Sequence, residues 1–264
     1  MVELLIVIVI IGLVLGISLT VISKARSSGR EKVAEAQLNA IDSALNSYRQ
    51  DFSRWPSSHV SYPGMYEFPG AVLLVETLLG PEGKGLKKAG SNKTYGPYLN
   101  AKSNQLHQID EGGGDSTDDG SDIDQYTADE PKYVFMDPFG RHVLYYKARL
   151  SESGVGNIYR RGDNWGGSNQ WLLTFEDKKY KLTHEDPNSD SKISDQIWDA
   201  PGFRRFIYDP PTTDSMPNSD DEGTPYNNNT YLLMMAGPDK RFGTADDICN
   251  FKFDKDKNLD PDYQ

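Results

Sequence analysis

Hydrophobic and polar positions follow three successive patterns along this chain. From Leu4 to Ile22 the sequence is almost wholly apolar, interrupted only by Gly12, Gly16, Ser18 and Thr20. As a helix rising about 1.5 Å per residue, this run spans roughly 28 Å, close to one hydrocarbon core. The pattern then narrows to a single stripe. Leu38, Ile41, Leu45, Tyr48 and Phe52 recur at alternating steps of three and four, as on an amphipathic helix. Arg30, Glu31, Lys32, Glu35, Asp42 and Arg49 lie mostly off the stripe, and no proline precedes Pro56. Pro56 itself disfavours helical geometry at Trp55. Together the two stretches predict one helix of about 50 residues, with a weak point at Ser27-Ser28-Gly29.

Beyond Pro56 the apolar runs shorten and polar, Gly-, Asp- and Asn-rich stretches separate them. Ala71 to Leu79 reads as a short helix stopped by Gly80. Tyr133–Met136 and His142–Tyr146 read as strands joined by the turn Asp137-Pro138-Phe139-Gly140. Trp171–Phe175 and Tyr180–Leu182 predict a hairpin around Asp177-Lys178, and Phe203–Tyr208 a further strand. Tyr231–Ala236 and Ile248–Phe253 close the core. Residues 110–130, rich in Asp, Glu, Gly and Ser, and Asp209–Asn229 read as loops. The expected fold class is α+β, a long N-terminal helix packed on a small antiparallel sheet with long loops.

Charge and composition narrow the chemistry. The formal net charge is −11, with 39 acidic residues against 28 basic ones, which argues against a nucleic-acid partner because phosphate contacts need clustered Lys and Arg. The one cysteine, Cys249, cannot form an internal disulfide and reads as a small core residue. His59, His107, His142 and His184 are scattered without metal-ligand spacing or a nucleophilic partner. No phosphate-cradling glycine loop or nucleophile elbow is present. The expectation is a protein that is not an enzyme.

Glu3 does not fit a plain membrane anchor, since a carboxylate beside an apolar run is costly when unpaired. The segment Glu3-Leu4-Leu5-Ile6-Val7-Ile8-Val9-Ile10-Ile11-Gly12-Leu13 resembles the N-terminal motif of type IV pilins and type II secretion pseudopilins. That resemblance implies a leader removed by a prepilin peptidase and a methylated new amine. It also implies that Glu3 neutralises the N-terminal amine of a neighbouring subunit, a pairing that makes both charges tolerable in a helical bundle. Glu3 stands two positions earlier than the family pattern, so Met1 is expected to be the third mature residue. The leader and the first two mature residues would then precede it. Lys24, Arg26, Arg30 and Lys32 follow the apolar run. The positive-inside bias alone would put the remainder in the cytoplasm, whereas the resemblance puts it in the periplasm.

Later segments are similar to the major, G-type pseudopilins. Tyr48 to Pro56 resembles their Tyr-x-x-Asp-x-Gly-x-Tyr-Pro segment, with Ser53 at the glycine position. Tyr95-Gly96-Pro97-Tyr98-Leu99 matches Gly-Pro-Tyr-Leu, and Asp137 to Tyr146 resembles an Asp-Pro-Trp-Gly hairpin. Ala236 to Ile248 resembles the calcium loop of that family. Hard cations take six to eight oxygens at roughly 2.3–2.6 Å. The resemblance assigns them to Asp239, Asp246 and Asp247, the Ala236 backbone carbonyl and, more weakly, Thr244, with Gly243 allowing the tight return. The same composition also suits an ion-free hairpin loop. Asp186–Ser194 lacks the glycine and terminal acid of an EF-type loop and reads, like Asp254–Asp260, as surface.

The implied fold is pilin-like. Residues 1–23 form the transmembrane, filament-core half of the helix and 24–55 its amphipathic half. Residues 56–264 form a periplasmic domain with insertions at about 105–130 and 150–229. The implied function is a structural subunit of the type II secretion pseudopilus, single-pass in the bacterial inner membrane. It would polymerise with itself and work with minor pseudopilins, the prepilin peptidase and the inner-membrane assembly platform. Two alternatives remain open: a type IV pilin or minor pseudopilin of a cell-surface filament, and a membrane-tethered binding or hydrolytic ectodomain.

Overall fold

One helix, α1, runs from Val2 to Phe52 and sets the frame for everything after it. The structure, a computed structural model, describes residues 2–58, 70–87, 92–111, 132–150, 157–159, 171–175, 178–181, 206–209, 224–240 and 242–254; for helical residues 2–5, 8 and 13–23 it describes the backbone alone. The stripe expected from the sequence is buried at Leu38, Ile41, Leu45 and Tyr48, with Phe52 partly so. Ala34, Gln37 and Ala44 join it, small or polar positions that the stripe pattern does not single out. Earlier in α1, Ile6, Val7, Val9, Ile10 and Ile11 are 52–58% exposed. Among the described residues no helix is long and apolar enough to cross a membrane. The side chains of residues 13–23, on which that expectation mostly rests, lie outside those described.

The end of α1 is cut sharply. Ser53 adopts a positive φ of 57° and donates its N–H to the Arg49 carbonyl at 2.7 Å, a left-handed helix stop of the kind glycine usually provides. Arg49 stacks over the Trp55 ring. The second helix, α2 (Gly70–Leu79), is buried along most of its length and ends at Gly80, φ 73°.

Thirteen short strands follow in the described residues. They are β1 (Leu86–Lys87), β2 (Thr94–Tyr95), β3 (Leu106–Glu111), β4 (Lys132–Phe135), β5 (Leu144–Lys147), β6 (Arg149–Leu150) and β7 (Asn157–Ile158). Then come β8 (Trp171–Phe175), β9 (Lys178–Lys181), β10 (Tyr208–Asp209), β11 (Thr224–Pro225), β12 (Tyr231–Met235) and β13 (Ile248–Cys249). Every pairing is antiparallel. The fold class is therefore α+β, as expected.

The central sheet has the order β13-β12-β5. Side chains alternate across it, so β12 is buried on both faces and reads as an unbroken apolar run. On one face Tyr145, Tyr231, Leu233 and Met235 meet Ile41, Leu45, Leu74 and Leu78 from the two helices. On the other, Leu144, Tyr146, Leu232 and Met234 meet Tyr159, Phe206, Ile207, Phe242 and Phe251. Each fully buried side chain of this size contributes about 1.5–3 kcal/mol relative to exposure. Two phenols fasten α1 to the domain: Tyr231 donates to Asp42 at 2.7 Å and Tyr98 to Asp51 at 2.8 Å.

Several expectations need correction. The strands around Asp137–Gly140 do not form a simple hairpin. β4 pairs with β3 and β5 with β12, so the turn is a corner between two sheets, spanned by the lone bridge Met136–His142. The stretch read as loop from Asp110 starts within β3, which continues through Asp110 and Glu111 and pairs there with β8. In the β8–β9 pair Phe175 opposes Lys178, so Lys178, expected in the turn, belongs to the strand. Phe206 and Ile207 are helical rather than extended, and only Tyr208–Asp209 pairs, with Thr224–Pro225 inside the expected loop. The last strand stops at Cys249. There the Asn250 side chain accepts from the Leu233 N–H at 2.9 Å, taking a backbone carbonyl's place and turning Phe251 into the second core. The acidic run Asp186–Ser194, His59, His184 and most of 110–130 lie outside the described residues.

Candidate metal centre

The loop between β12 and β13 is built by its glycines. Ala236 ends the β12 run fully buried, and Gly237 follows with φ 65°. A Cβ at Gly237 would sit 2.3 Å from the Asp246 carbonyl oxygen. Only glycine lets the outgoing and returning backbones approach this closely. Lys240 takes a second positive φ, 63°, and Gly243 a third, 84°, which completes the return expected at Gly243. Phe242 is buried beneath, 5.6 Å from the His142 ring, and pins the loop to the second core.

These turns bring Thr244, Asp246 and Asp247 together. The Thr244 hydroxyl donates to Asp246 Oδ1 at 2.6 Å and lies 3.4 Å from Asp247 Oδ1. Asp247 Oδ2 accepts the Gly243 N–H at 2.8 Å, and Asp246 Oδ2 accepts the Asp239 N–H at 2.9 Å. Asp239 is thus part of the loop through its backbone, while its side chain is exposed. Burial pushes the Asp247 carboxyl well above the usual carboxylate range. The Gly243 and Thr244 backbone bonds oppose this, and the charges of Asp239 and Asp246 add to it. A carboxylate held among like charges favours either a proton or a cation.

The donors are all oxygens, the kind a hard divalent ion takes. Among the described residues no group of three or more His, Cys, Asp or Glu side chains is placed to hold a metal ion. Asp246 and Asp247 both lie within reach of the Thr244 hydroxyl. Ala236 is placed at the loop's buried root. The oxygen donors are of the kind calcium takes. Glu3, the other expected functional residue, lies within α1 with its side chain outside those described.

Two features escape the motif. Cys249, next to the loop on β13, is half-buried, and burial, with the charge of Asp247, pushes its thiol well above the usual thiol range. Asp137 is 6% exposed at the β4–β5 corner; its Oδ1 accepts the Phe139 and Arg141 N–H groups at 2.8 Å each. Burial raises its carboxyl to about 6 despite those bonds. Only its place at the first position of an Asp-Pro-x-Gly turn signals it in the sequence. Neither a protein-family model, nor a curated protein, nor a solved structure matches this chain.

Proposed function

We propose that this chain is a structural, non-catalytic subunit of a type II secretion pseudopilus with a pilin-like fold. The observation that carries this reading is the two-part character of α1. Its second half is sealed onto the sheet from Ala34 onward, while Ile6, Val7, Val9, Ile10 and Ile11 present apolar side chains to the outside. A helix so divided has one half for its own domain and one for a membrane or for other copies. In this reading Leu4–Ile22 holds the subunit in the inner membrane, the domain stands in the periplasm, and the same segment becomes the core of a filament. Glu3 pairs with the terminal amine of the neighbouring copy. Assembly requires the prepilin peptidase, minor pseudopilins and the inner-membrane platform.

The test is complementation of a bacterium that has the secretion machinery but lacks its major pseudopilin, using the chain supplied with a leader. Sheared or periplasmic filaments containing this chain are the expected result, and Glu3→Ala should abolish them without changing the melting temperature of the domain. Soluble monomer with no filament, for both forms, overturns the reading.

The β12–β13 loop is proposed to hold calcium through Asp246 and Asp247, with Thr244 and main-chain oxygens completing the set. The bound ion supplies a charge that lets the buried Asp247 carboxylate stay ionised and ties the last strand to the second core. Calcium should raise the melting temperature of the full chain, chelator should lower it, and Asp247→Asn should remove the difference. An unchanged melting temperature in the parent chain rejects the site.

A further inference from the structure

Between the outward-facing apolar residues of α1 and its sealed half lies a short stalk. From Lys24 to Val33 each residue is exposed or only half-buried, and the first buried position is Ala34. The stalk carries Lys24, Arg26, Arg30 and Lys32 against the single acid Glu31, in a chain whose net charge is −11. Its sign is therefore opposite to that of the molecule. At about 100° per residue, the four basic positions fall at roughly 0°, 200°, 240° and 80° around the helix. That is a collar, not a stripe. A stripe would suit one flat partner; a collar suits a medium that surrounds the helix on all sides.

The collar begins two residues after the apolar run ends at Ile22 and occupies about 12 Å of helix. The headgroup region on each side of a hydrocarbon core is about 5–8 Å deep, so Lys24 and Arg26 fall within it and Arg30 and Lys32 stand at its outer edge and beyond. Lys32 pairs with Glu35 at 3.0 Å, a contact with both side chains at least half exposed and so weak in water. Glu31 is turned to Ser27 on its own helix. Neither acid neutralises Lys24, Arg26 or Arg30.

We propose that this collar binds anionic phospholipid headgroups and fixes the depth at which the helix sits. The proposal rests on the reading of Leu4–Ile22 as membrane-spanning. Clustered Lys and Arg beside a spanning helix attract anionic lipids, and the attraction is screened by salt. The partner is a lipid of one charge class, such as phosphatidylglycerol, and the same contacts must be surrendered when the subunit leaves the bilayer for a filament.

The experiment uses the full chain reconstituted into vesicles of phosphatidylcholine alone and of phosphatidylcholine with phosphatidylglycerol. Flotation reports insertion. After mild detergent extraction, the ratio of the two lipids that co-purify with the chain reports the collar. Flotation with both vesicles, together with enrichment of phosphatidylglycerol about threefold or more over the bulk, is expected. The enrichment should vanish in high salt and in the combined variant Lys24→Gln, Arg26→Gln, Arg30→Gln, which should still float. Flotation with neither vesicle overturns the membrane reading and the proposal together. Flotation with both at the bulk lipid ratio overturns the proposal and leaves the reading standing. If that bulk ratio comes with carboxyl–amine cross-links from Lys24 to another copy, the collar belongs to a second subunit's acidic face.

Discussion

The two faces of the β13-β12-β5 sheet are covered by different means. One face is closed by regular structure: α1 and α2 lay a periodic apolar stripe against Tyr145, Leu233 and Met235. The other is closed by single residues from distant segments, Tyr159, Phe206, Ile207, Phe242 and Phe251, that cover Tyr146, Leu232 and Met234. One amphipathic helix can cover only one side of a sheet, so a strand as uniformly apolar as β12 requires a second cover. That requirement gives the region beyond residue 150 a structural duty. It supplies the aromatic lid of the outer face, with Phe206 meeting Phe251 at 5.9 Å and Phe253 at 4.6 Å between ring centroids.

If the outer face is a core of equal standing, truncation there should cost as much as truncation under the helix. Phe206→Ala is expected to lower the unfolding free energy by about 3–5 kcal/mol and Leu45→Ala by about 2–5 kcal/mol, read by denaturant titration of the full chain. A cost below about 1 kcal/mol at Phe206 would reduce the outer face to a loosely held flap. Next in size, Gly237→Ala forces a Cβ against the Asp246 carbonyl oxygen and strains a φ of 65°. A loss of about 1–3 kcal/mol is expected, along with any calcium response, while packing under the helix stays intact by near-ultraviolet circular dichroism.

The helix-covered face differed from the other in how far the sequence disclosed it. Leu38, Ile41, Leu45 and Tyr48 declare their partner by spacing alone, because a helix repeats the same geometry at every turn. So do Gly80 and Pro56, whose backbone limits act locally. Phe206 and Phe251 carry no such period, and their meeting depends on where loops return, which no local pattern encodes. The candidate metal loop was legible in its acids and glycines. It was not legible that the Asp239 N–H would donate to the Asp246 carboxylate, a backbone contact that no acid-and-glycine pattern announces.

Two smaller effects test the corner and the helix end on the inner side. Asp137 has its folded carboxyl raised to about 6 by burial. The native state then holds a proton that the unfolded chain has already released. Stability should fall as pH rises from about 4 to about 6 and level off above it. Asp137→Asn keeps the Oδ1 acceptor for Phe139 and Arg141 and loses the charge. It should flatten that slope, with a difference from the parent of about 1–2 kcal/mol between the two ends, measured by thermal melts across pH. The smallest effect is a gain. Ser53→Gly relieves the left-handed φ of 57° at the end of α1 and should add about 0.5–1 kcal/mol; a loss would mean the serine side chain holds the stop.

The bond between Tyr231 and Asp42 joins residues 189 positions apart, and its consequence is one of timing. The stripe of α1 is synthesised well before β12, the strand that it must cover. Until Tyr231 to Met235 emerge, Ile41, Leu45 and Tyr48 have no sheet to lie on, and contacts so distant along the chain form slowly. The helix-covered face therefore cannot close until β12 has been synthesised.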